Sequence, residues 1–359
     1  DNYIENTPRG ISIYQVGTEG KGTFLASVLA EEGGTEAHVS DEYITPADSK
    51  TLIAYNVIKK CGYVEDVYAN YKPSAISAIG ADFAEVYPNQ TKGSAGLPIG
   101  DYFLKGVTIK NNYVEVKGTG CRLSDVKNVE VSSNVFICGD NEFSTETTFY
   151  GILAKDKSTL TSVVNNSVKN AKISGIHFGE GCEVNTVTYN KINTASKLGI
   201  ACSGTKINTL TDNTVTNIAS EGIGIKNNSV VKNPIVRNKI SNCATGANIT
   251  NNLSGIFNSN TITKCTTPLK YSKTQMKRIA ANNYSYASDV GAVMLGVSSL
   301  EISAGKNYKL SPRTVPLNSD SVLTYSSSDT AVAEAEGKNV TGAVVLDFLC
   351  NKPRTVRKL

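Results

Sequence analysis

The chain has 359 residues, a net charge of +4 and an aromatic content of only 7%. This length is sufficient for two domains, and the composition indicates neither a helical nor a disordered protein. No run of 18 apolar residues predicts a membrane span, and the small, scattered positive charge argues against nucleic acid as a partner.

One sequence pattern recurs eight times: an asparagine with an apolar residue three positions before it and another two positions after it. The asparagines are Asn112, Asn134, Asn166, Asn190, Asn213, Asn238, Asn260 and Asn282. Seven intervals separate them, and all but the 32-residue interval from Asn134 to Asn166 are 22 to 25 residues long. Fragments of the pattern also surround Asn2 and Asn56, so the repeat extends nearly to residue 1.

A period in the low twenties with three short apolar runs is too short for helix pairs and predicts one coil of a β-solenoid. Each coil would hold three strands and three bends, and stacking at about 4.8 Å would pair every strand with the next coil. The asparagine in the same bend of each coil predicts a ladder of side-chain hydrogen bonds. We therefore expect an all-β solenoid over residues 1–293, with insertions at about 15–50, 81–105 and 138–149. Because residue 1 lies inside a repeat, we expect the solenoid to be N-terminally truncated.

The chain contains eight cysteines, and most fall on predicted interior columns. We interpret them as small buried hydrophobic residues rather than disulfides. Cys243 and Cys265 fall in neighbouring coils and are close enough to form a bridge if oxidised. No CxxC pair and no Cys/His spacing typical of zinc is present.

A glycine followed by a small or aliphatic residue begins one strand in most coils, at Gly120, Gly151, Gly175, Gly199, Gly222 and Gly246. Alternation predicts that the first and third residues after the glycine point inward, and that the second and fourth point to solvent. The predicted outward residues include Arg122, His177 and Asn248 at the second position, and Lys155 and Lys226 at the fourth. We expect these side chains to face a ligand.

The fifth position after the glycine is acidic in three consecutive coils, as Asp125, Asp156 and Glu180. Carboxylates about 5 Å apart repel each other, so we expect a raised pKa, a bound cation or basic neighbours to relieve the repulsion. The neighbours placed to do so are Arg122, Lys155 and His177. The alternative is that these acids are ordinary solvated charges at a bend.

The 32-residue interval adds Asp140, Glu142 and Glu146 next to the acidic column. A loop carrying these acids could form one side of a groove and contact a substrate. His177 is one of only two histidines and is a candidate catalytic or substrate-binding group, the alternative being an incidental exposed histidine.

The pattern Asn-x-Ile/Val followed by Gly-Ile-x-Ile resembles the repeat of the right-handed, single-stranded parallel β-helix superfamily (the pectate-lyase-like fold), which includes pectate lyases, polygalacturonases, alginate epimerases and phage tailspikes. The resemblance implies a polysaccharide, usually acidic, lying along one parallel sheet. For the lyases it also implies carboxylates that hold Ca²⁺ beside an arginine or lysine base. The match is specific for the fold and not for the activity. The polygalacturonase signature and the Asp-Pro-His element of the epimerases are absent.

Residues 294–359 follow a different pattern of short alternating runs, such as Leu300-Glu-Ile302 and Leu323-Thr-Tyr325, which predicts a small β-sandwich. The segment resembles the bacterial Ig-like domain group 2, although Tyr325 stands where that family commonly has tryptophan. From about residue 343 the sequence departs from the family and ends in a basic tail, so we expect an incomplete domain. The resemblance implies an extracellular or bacterial cell-surface location.

Two functions fit these observations. The first is a secreted carbohydrate-active enzyme, either a Ca²⁺-assisted polysaccharide lyase or a glycoside hydrolase. In a lyase, Arg122 or Lys155 would abstract the proton α to a uronate carboxyl. In a hydrolase, two carboxylates would act as acid and base. The second function is a non-catalytic bacterial surface adhesin or glycan-binding solenoid, in contact with a cell wall or host surface. The candidate residues are Arg122, Lys155, His177, Asp156 and Glu180 for catalysis, Asp125, Asp156 and Glu180 for metal, and Asp140, Glu142, Lys226 and Asn248 for substrate.

Overall fold

The computed structural model describes residues 2–14, 51–63, 73–80, 104–140, 148–250 and 253–286, together with short strands between residues 292 and 347. The predicted insertions lie largely outside these residues. Most complete coils of the described solenoid contain three strands separated by three bends, as predicted, whereas in two coils one long strand continues through a bend. The strands stack in parallel on three faces, which we call sheets 1, 2 and 3.

Sheet 1 contains the strands that lead into the ladder asparagines. They are β3 (Thr51–Ala54), β7 (Val107–Lys110), β11 (Val129–Ser132), β14 (Thr159–Val164), β17 (Glu183–Thr188), β20 (Lys206–Thr211) and β22 (Val230–Val231). Two short pairs extend the solenoid beside it, namely β6 (Leu104–Lys105) with β10 (Val126–Lys127) and β23 (Ile235–Val236) with β25 (Phe257–Asn258).

Sheet 2 contains the strands that follow the ladder asparagines. They are β1 (Tyr3–Glu5), β4 (Val57–Cys61), β8 (Tyr113–Lys117), β12 (Val135–Gly139), β15 (Ser167–Ala171), β18 (Lys191–Ala195), the first parts of β21 (Thr214–Lys226) and β24 (Lys239–Ile249), β26 (Thr261–Cys265) and β28 (Asn283–Tyr286).

Sheet 3 contains the strands that begin near the repeated glycine. They are β2 (Ile11–Tyr14), β5 (Ser74–Ile79), β9 (Thr119–Ser124), β13 (Tyr150–Lys155), β16 (Ser174–Phe178), β19 (Leu198–Ser203), the second parts of β21 and β24, and β27 (Thr267–Tyr271). A 3-10 helix, Lys273–Arg278, follows β27. No helix in the described part is long and apolar enough to cross a membrane.

The core consists of the aliphatic columns predicted from the repeat. The residues three before and two after each ladder asparagine are at most 1% exposed from Ile109 and Val114 to Phe257 and Ile262. The seven cysteines that the structure describes are free and buried among them, which confirms their interpretation as core residues. Tyr284 is the exception at 42% exposed, because β28 pairs with only one described strand, β26.

A continuous asparagine ladder joins the coils from Asn2 to Asn282, as predicted. Nine hydrogen bonds of 2.8–3.0 Å run from the Nδ2 of one asparagine to the Oδ1 of the asparagine in the next coil. In eight coils the residue before the ladder asparagine is left-handed, with φ of 53° to 58°. This conformation produces the sharp bend that turns each asparagine amide toward its neighbours.

The glycines that begin sheet 3 are required by close packing between coils. A Cβ placed on Gly222 would lie 2.5 Å from both the carbonyl oxygen of Gly246 and the Cγ2 of Ile240. Glycine is the residue that permits such an approach of two backbones.

Strand pairing changes from parallel to antiparallel after the solenoid. The pairs are β29 (Ala292–Met294) with β32 (Arg313–Val315), β30 (Ser299–Ile302) with β35 (Val344–Asp347), and β34 (Asn339–Gly342) with both β31 (Asn307–Lys309) and β33 (Ala333–Glu336). The Ig-like assignment of this segment stays a prediction.

Candidate functional site

The predicted outward column of sheet 3 forms in the expected register. Leu153 pairs with Arg122 in the preceding coil and with His177 in the next, and the column continues to Asn248. These residues alternate with core residues along their strands, so their side chains point away from the interior.

This column is far less exposed than the sequence predicted. Arg122 is 8%, Leu153 is 7% and Asn248 is 5% exposed, although Leu153 does not belong to the core cluster. Strand β32 lies against β21 and against β24, the strand that carries Asn248. The expectation that these side chains face solvent is therefore wrong, and this part of sheet 3 is not an open trough.

His177 is half-buried in the same column. Its ring lies 5.1 Å from the ring of Tyr150 at an angle of 54°, and its Nδ1 is buried with no hydrogen-bond partner among the described contacts. Burial lowers the pKa of His177 below its usual value, so the imidazole is neutral at pH 7. A neutral imidazole with an unpaired ring nitrogen can accept a hydrogen bond or a proton from a ligand.

The acidic column coincides with a bend in the backbone. Asp125 and Asp156 are left-handed, with φ of 50° and 56°, and so are Gly204 and Asn227 at the same position in later coils. Glycine, asparagine and aspartate adopt this conformation most readily. The bend is thus a structural reason for these two aspartates that requires no ligand. Glu180 departs from the pattern, because the left-handed residue of its coil is Gly181.

Basic and hydroxyl neighbours stabilise the charge of Asp156. Lys155 forms an ion pair with its carboxylate, and the Oγ of Ser124 donates a hydrogen bond to its Oδ2 at 2.6 Å. Burial raises the pKa of Asp156, but the contacts with Lys155 and Ser124 and the charge of Arg122 outweigh burial, so the net pKa is lowered. The carboxylate is therefore ionised at neutral pH. A raised pKa, a bound cation or basic neighbours were expected to relieve the repulsion between the carboxylates. At Asp156 the structure shows basic neighbours.

The three candidate metal ligands do not converge. In the part of the chain that the structure describes, no three His, Cys, Asp or Glu side chains are grouped so that they could hold a metal ion. Asp125 is buried, Asp156 is ion-paired and Glu180 is exposed. Within those residues the geometry gives no support for the expected Ca²⁺ site.

Lys226 and Asn248, which were candidates for contacting substrate, are both held by Glu221. The Nζ of Lys226 lies 2.8 Å from Oε2 of Glu221, and the Nδ2 of Asn248 donates to Oε1 at 2.9 Å. A Cβ on Gly224 would lie 2.8 Å from the same Oε2, so glycine leaves room for the carboxylate. The sequence reasoning missed Glu221 because it considered only positions after the repeated glycine.

The insertion acids are only partly described. Asp140 forms an ion pair with Lys172 at 3.4 Å, and the Nζ of Lys172 also lies 5.6 Å from the centre of the Phe149 ring. Glu142 lies outside the described residues. Asp140, the candidate that the structure describes, is therefore ion-paired with a lysine of the following coil.

An open groove lies instead on sheet 1, where the sequence reasoning placed no site. Its cavity of ≈ 460 Å³ crosses β14, β17 and β20, with Asn128 and Lys232 also in its lining. Two rows of polar side chains line it, each row with one residue from each strand. The rows are Thr159, Glu183 and Lys206, and Thr161, Asn185 and Asn208.

The groove follows a line of irregularities in three consecutive strands. Their inward residues are three apart instead of two, so each strand carries an extra residue relative to strict alternation. The pairs are Leu160 and Val163, Val184 and Val187, and Ile207 and Leu210. The preceding coils keep the spacing of two, at Val107 and Ile109 and at Val129 and Val131. This change in apolar spacing is the sequence signal that locates the groove.

The groove side chains pair with their equivalents in the next coil. The Nδ2 of Asn208 donates to the Oδ1 of Asn185 at 3.0 Å, and the Nζ of Lys206 lies 2.8 Å from the Oε1 of Glu183. Among the described contacts, the amide hydrogens of Asn185, the amide oxygen of Asn208 and the ammonium of Lys232 remain available to a ligand.

Glu183 is held in its ionised form. Its hydrogen bond with Lys206 lowers the pKa of Glu183, with burial opposing and the charges of Lys206 and Lys232 assisting, and the same bond raises the pKa of Lys206. Both side chains are more than half exposed, so solvent screens the pair. Glycoside hydrolysis uses two carboxylates, whereas the lining of this groove holds one, already ion-paired.

A family model described as "Periplasmic copper-binding protein (NosD)" matches residues 64–218 and again residues 106–293. Together the two overlapping matches cover more than half of the chain, including the whole groove. No curated protein matches the chain.

Proposed function

Because the chain belongs to the NosD family of periplasmic copper-binding proteins, a family of right-handed parallel β-helices, we propose a function that a β-helix performs outside the cytoplasm. The proposed function is non-catalytic binding of a linear glycan along the groove of sheet 1, by a secreted or bacterial cell-surface solenoid. The observation that carries this proposal is the pair of polar rows, in which each coil adds one equivalent side chain.

The spacing of the rows suits a polymer. Coils stack about 4.8 Å apart, so the five coils from Asn128 to Lys232 span about 19 Å. An extended polysaccharide presents hydroxyl groups at regular intervals of similar length. Successive sugars can therefore meet equivalent amides, such as those of Asn185 and Asn208, in successive coils.

The chemistry of the groove suits polar contacts with a glycan. Amides and hydroxyls both donate and accept hydrogen bonds, as sugar hydroxyls do. Lys206 and Lys232 outnumber the single carboxylate of Glu183, so an acidic chain gains favourable electrostatics. No aromatic residue lines the groove, and affinity should rest on hydrogen bonds and charge.

The test compares an asparagine of the groove with an exposed asparagine on another sheet, which also accepts hydrogen bonds from the hydroxyls of Thr194 and Thr216. Asn185 lies in the groove and Asn193 on sheet 2, and each is exposed and accepts a hydrogen bond from an asparagine of the next coil. Calorimetric titration with neutral and acidic polysaccharides should show binding that weakens about 2- to 13-fold in Asn185→Ala, the equivalent of one net hydrogen bond of about 0.5–1.5 kcal/mol. Asn193→Ala should bind like the wild type. Equal affinities in all three proteins, or no binding to any glycan, would exclude the groove as a glycan site.

A second candidate function is a polysaccharide lyase or hydrolase on sheet 3, and the observation that favours it is the buried, unpaired Nδ1 of His177. In this proposal His177 accepts the proton, and the other participants are Arg122, Lys155, Asp156 and Glu180. Ultraviolet absorbance of unsaturated uronates, or release of reducing ends, would report turnover. Activity that is lost in His177→Gln but kept in Asn185→Ala would favour the enzyme. No turnover of any polyuronate or neutral glycan would exclude it.

Copper is the ligand that the family description names, and the described residues do not fit a centre built from several imidazole or carboxylate ligands. They include one histidine, His177, and no group of three metal-binding side chains. The chemistry of glycan binding proposed above uses no metal. The donors in the described part that suit a soft ion include the buried thiols and the exposed thioether of Met276.

A further inference from the structure

Three polar side chains on the outer face of sheet 3 contact each other across two consecutive coils. Glu221 and Lys226 lie in the second part of β21, and Asn248 lies in the second part of β24. The Nζ of Lys226 is 2.8 Å from Oε2 of Glu221, and the Nδ2 of Asn248 donates to Oε1 at 2.9 Å. One carboxylate therefore holds an ammonium group with one oxygen and a carboxamide with the other.

The strand register also brings the lysine close to the asparagine. Gly224 pairs with Asn248 in the next coil, and paired strands lie about 4.8 Å apart. The Cε of Lys226 is 3.6 Å from the position of a Cβ placed on Gly224. The end of the lysine side chain thus lies over the residue next to Asn248, and glycine at this position leaves room for the carboxylate between them.

The carboxamide of Asn248 is shielded from water. Asn248 is 5% exposed, and the side chain of Glu221 is 12% exposed. The Oδ1 of Asn248 is buried with no hydrogen-bond partner among the described contacts, although buried polar atoms are almost always paired. An unsatisfied oxygen therefore destabilises the unreacted carboxamide, at a place where electrostatic interactions are stronger than in water.

Neighbouring coils lack this combination of side chains. In the preceding coil Leu198 stands in the place of Glu221 and Ser203 in the place of Lys226. In the next coil Thr245 stands in the place of Glu221. The contact between acid, amine and amide is therefore specific to one pair of coils and is not a product of the repeat.

We propose that Lys226 and Asn248 form an intramolecular isopeptide bond, with Glu221 as the general base and acid. Glu221 takes a proton from the ammonium of Lys226, and the neutral Nζ attacks Cγ of Asn248. As the Nζ–Cγ bond forms, the carboxyl group transfers its proton to Nδ2, the Cγ–Nδ2 bond breaks and ammonia leaves. The second proton that Nζ loses leaves with the ammonia as an ammonium ion. Atoms and charge balance without an oxidant or a further reactant.

The contacts of Glu221 match both proton transfers. Its Oε2 faces the attacking nitrogen, and its Oε1 already accepts a hydrogen bond from the leaving nitrogen. A carboxyl group that contacts both nitrogens can move a proton from one to the other without solvent. Holding the amine and the amide together also replaces an encounter between separate molecules by a step within one chain, which accelerates acyl transfer.

The cross-link does not depend on glycan binding. It joins β21 to β24, whereas the groove crosses β14, β17 and β20. A covalent bond between two coils keeps this part of sheet 3 connected when the hydrogen bonds between its strands open. Failure to bind a glycan and failure to form the bond are therefore separate results.

Two substitutions separate the chemistry from the fold. Lys226→Arg keeps a cation beside Glu221, but a guanidinium stays protonated and does not attack an amide. Glu221→Gln keeps the size of the side chain and removes the base. Glu183→Gln is the matched control: this carboxylate also contacts a lysine, Lys206, but it is more than half exposed and holds no carboxamide among the described contacts.

The experiment is mass spectrometry of the reduced, denatured full chain, after the folded protein has been incubated until its mass is constant. We expect the wild type and Glu183→Gln to be lighter than their sequences by one ammonia. Trypsin should not cleave after Lys226, and the digest should contain two peptides joined through Lys226 and Asn248. Lys226→Arg and Glu221→Gln should have the full mass of their sequences and the circular dichroism of the wild type.

Three results would overturn the proposal. The first is a wild-type chain with the full mass of its sequence. The second is loss of ammonia without a peptide that joins Lys226 to Asn248, since an asparagine that cyclises on its own backbone loses the same mass. The third is a cross-link that persists in Glu221→Gln, which would remove the carboxylate from the reaction.

Discussion

Replacing Asn190 with alanine should lower the free energy of unfolding by about 4 kcal/mol. Asn190 is completely buried in the middle of the ladder. Its Nδ2 donates to the carbonyl of Val163 at 2.8 Å, to the carbonyl of Thr188 at 3.1 Å and to Oδ1 of Asn213 at 3.0 Å. Its Oδ1 accepts from both the backbone nitrogen and the Nδ2 of Asn166 at 3.0 Å. Alanine removes all five bonds.

The magnitude follows from the groups that the substitution leaves behind. The buried backbone N–H of Asn166 and the buried carbonyl of Val163 each lose a partner, and an unsatisfied buried group costs about 1–3 kcal/mol. Two such groups give about 2–6 kcal/mol, with a midpoint of about 4 kcal/mol. If the carbonyl of Val163 keeps a second hydrogen-bond partner, the loss of stability should lie near the lower end of this range.

The assay is urea unfolding followed by circular dichroism, with the midpoint and slope compared between variants. Asn193→Ala is the control, because it removes an exposed amide and should change stability by no more than about 0.5 kcal/mol. A loss below about 1 kcal/mol for Asn190→Ala, or a loss equal to that of Asn193→Ala, would refute the view that the ladder stabilises the stack.

Three further predictions concern the bends and the sheet 3 column. Gly199→Ala should lower stability by about 1–3 kcal/mol in urea unfolding, because its Cβ would overlap the carbonyl of Gly222, whereas Gly139→Ala meets only contacts of 3.8 Å or more and should be tolerated. Asp156→Asn keeps a residue suited to the left-handed bend but removes the charge. Because the folded pKa of Asp156 is lowered, its stabilisation is present above the ordinary value of 3.8 and is lost as pH falls through the folded pKa. Thermal unfolding should therefore show a wild-type advantage at pH 7 that decreases as the pH falls below 3.8, and an advantage independent of pH would contradict this. Burial lowers the pKa of His177, so the wild type should lose stability relative to His177→Phe as pH falls below 6.5. Parallel pH profiles for these two proteins would show that His177 stays as accessible to protons in the fold as in the unfolded chain.

The fold was predictable because the same sequence pattern recurs in successive coils. Each repeat supplies an asparagine with an apolar residue on either side, and most coils add a glycine. Any one of these, such as Asn190 or Gly199, has several local explanations. Their common register is explained only by stacking, which the continuous ladder confirms.

The candidate site was harder to predict, because alternation gives the direction of a side chain but not what lies beyond it. Leu153 and Asn248 leave the interior as expected, yet both are buried, and strand β32 lies against the strand that carries Asn248. Asp125 and Asp156 were interpreted as metal-binding or catalytic residues, although their left-handed backbone conformation already favours aspartate. Glu221 was missed because it precedes the repeated glycine, whereas only positions after that glycine were considered, although it contacts Lys226 in its own strand.

The groove was missed for a different physical reason. Sequence periodicity was treated as constant, whereas the spacing of inward residues changes from two to three at Leu160 and Val163 and stays so for two more coils. This change places two residues instead of one between the inward residues of each strand. The asparagine ladder continues through the same coils. A search for departures from the period would have found it.

The ladder also makes the solenoid electrically polar from one end to the other. Every bond in it has the same direction, with the amide N–H of one coil pointing to the next coil and the amide C=O pointing to the preceding one. Aligned amide dipoles add along an axis, as they do in an α-helix, and each bond polarises its neighbours. The end of the ladder at Asn2 is therefore negative and the end at Asn282 is positive. A further coil, or a second molecule, can continue the stack only if its amides point the same way, so the ladder determines the direction in which the solenoid can be extended.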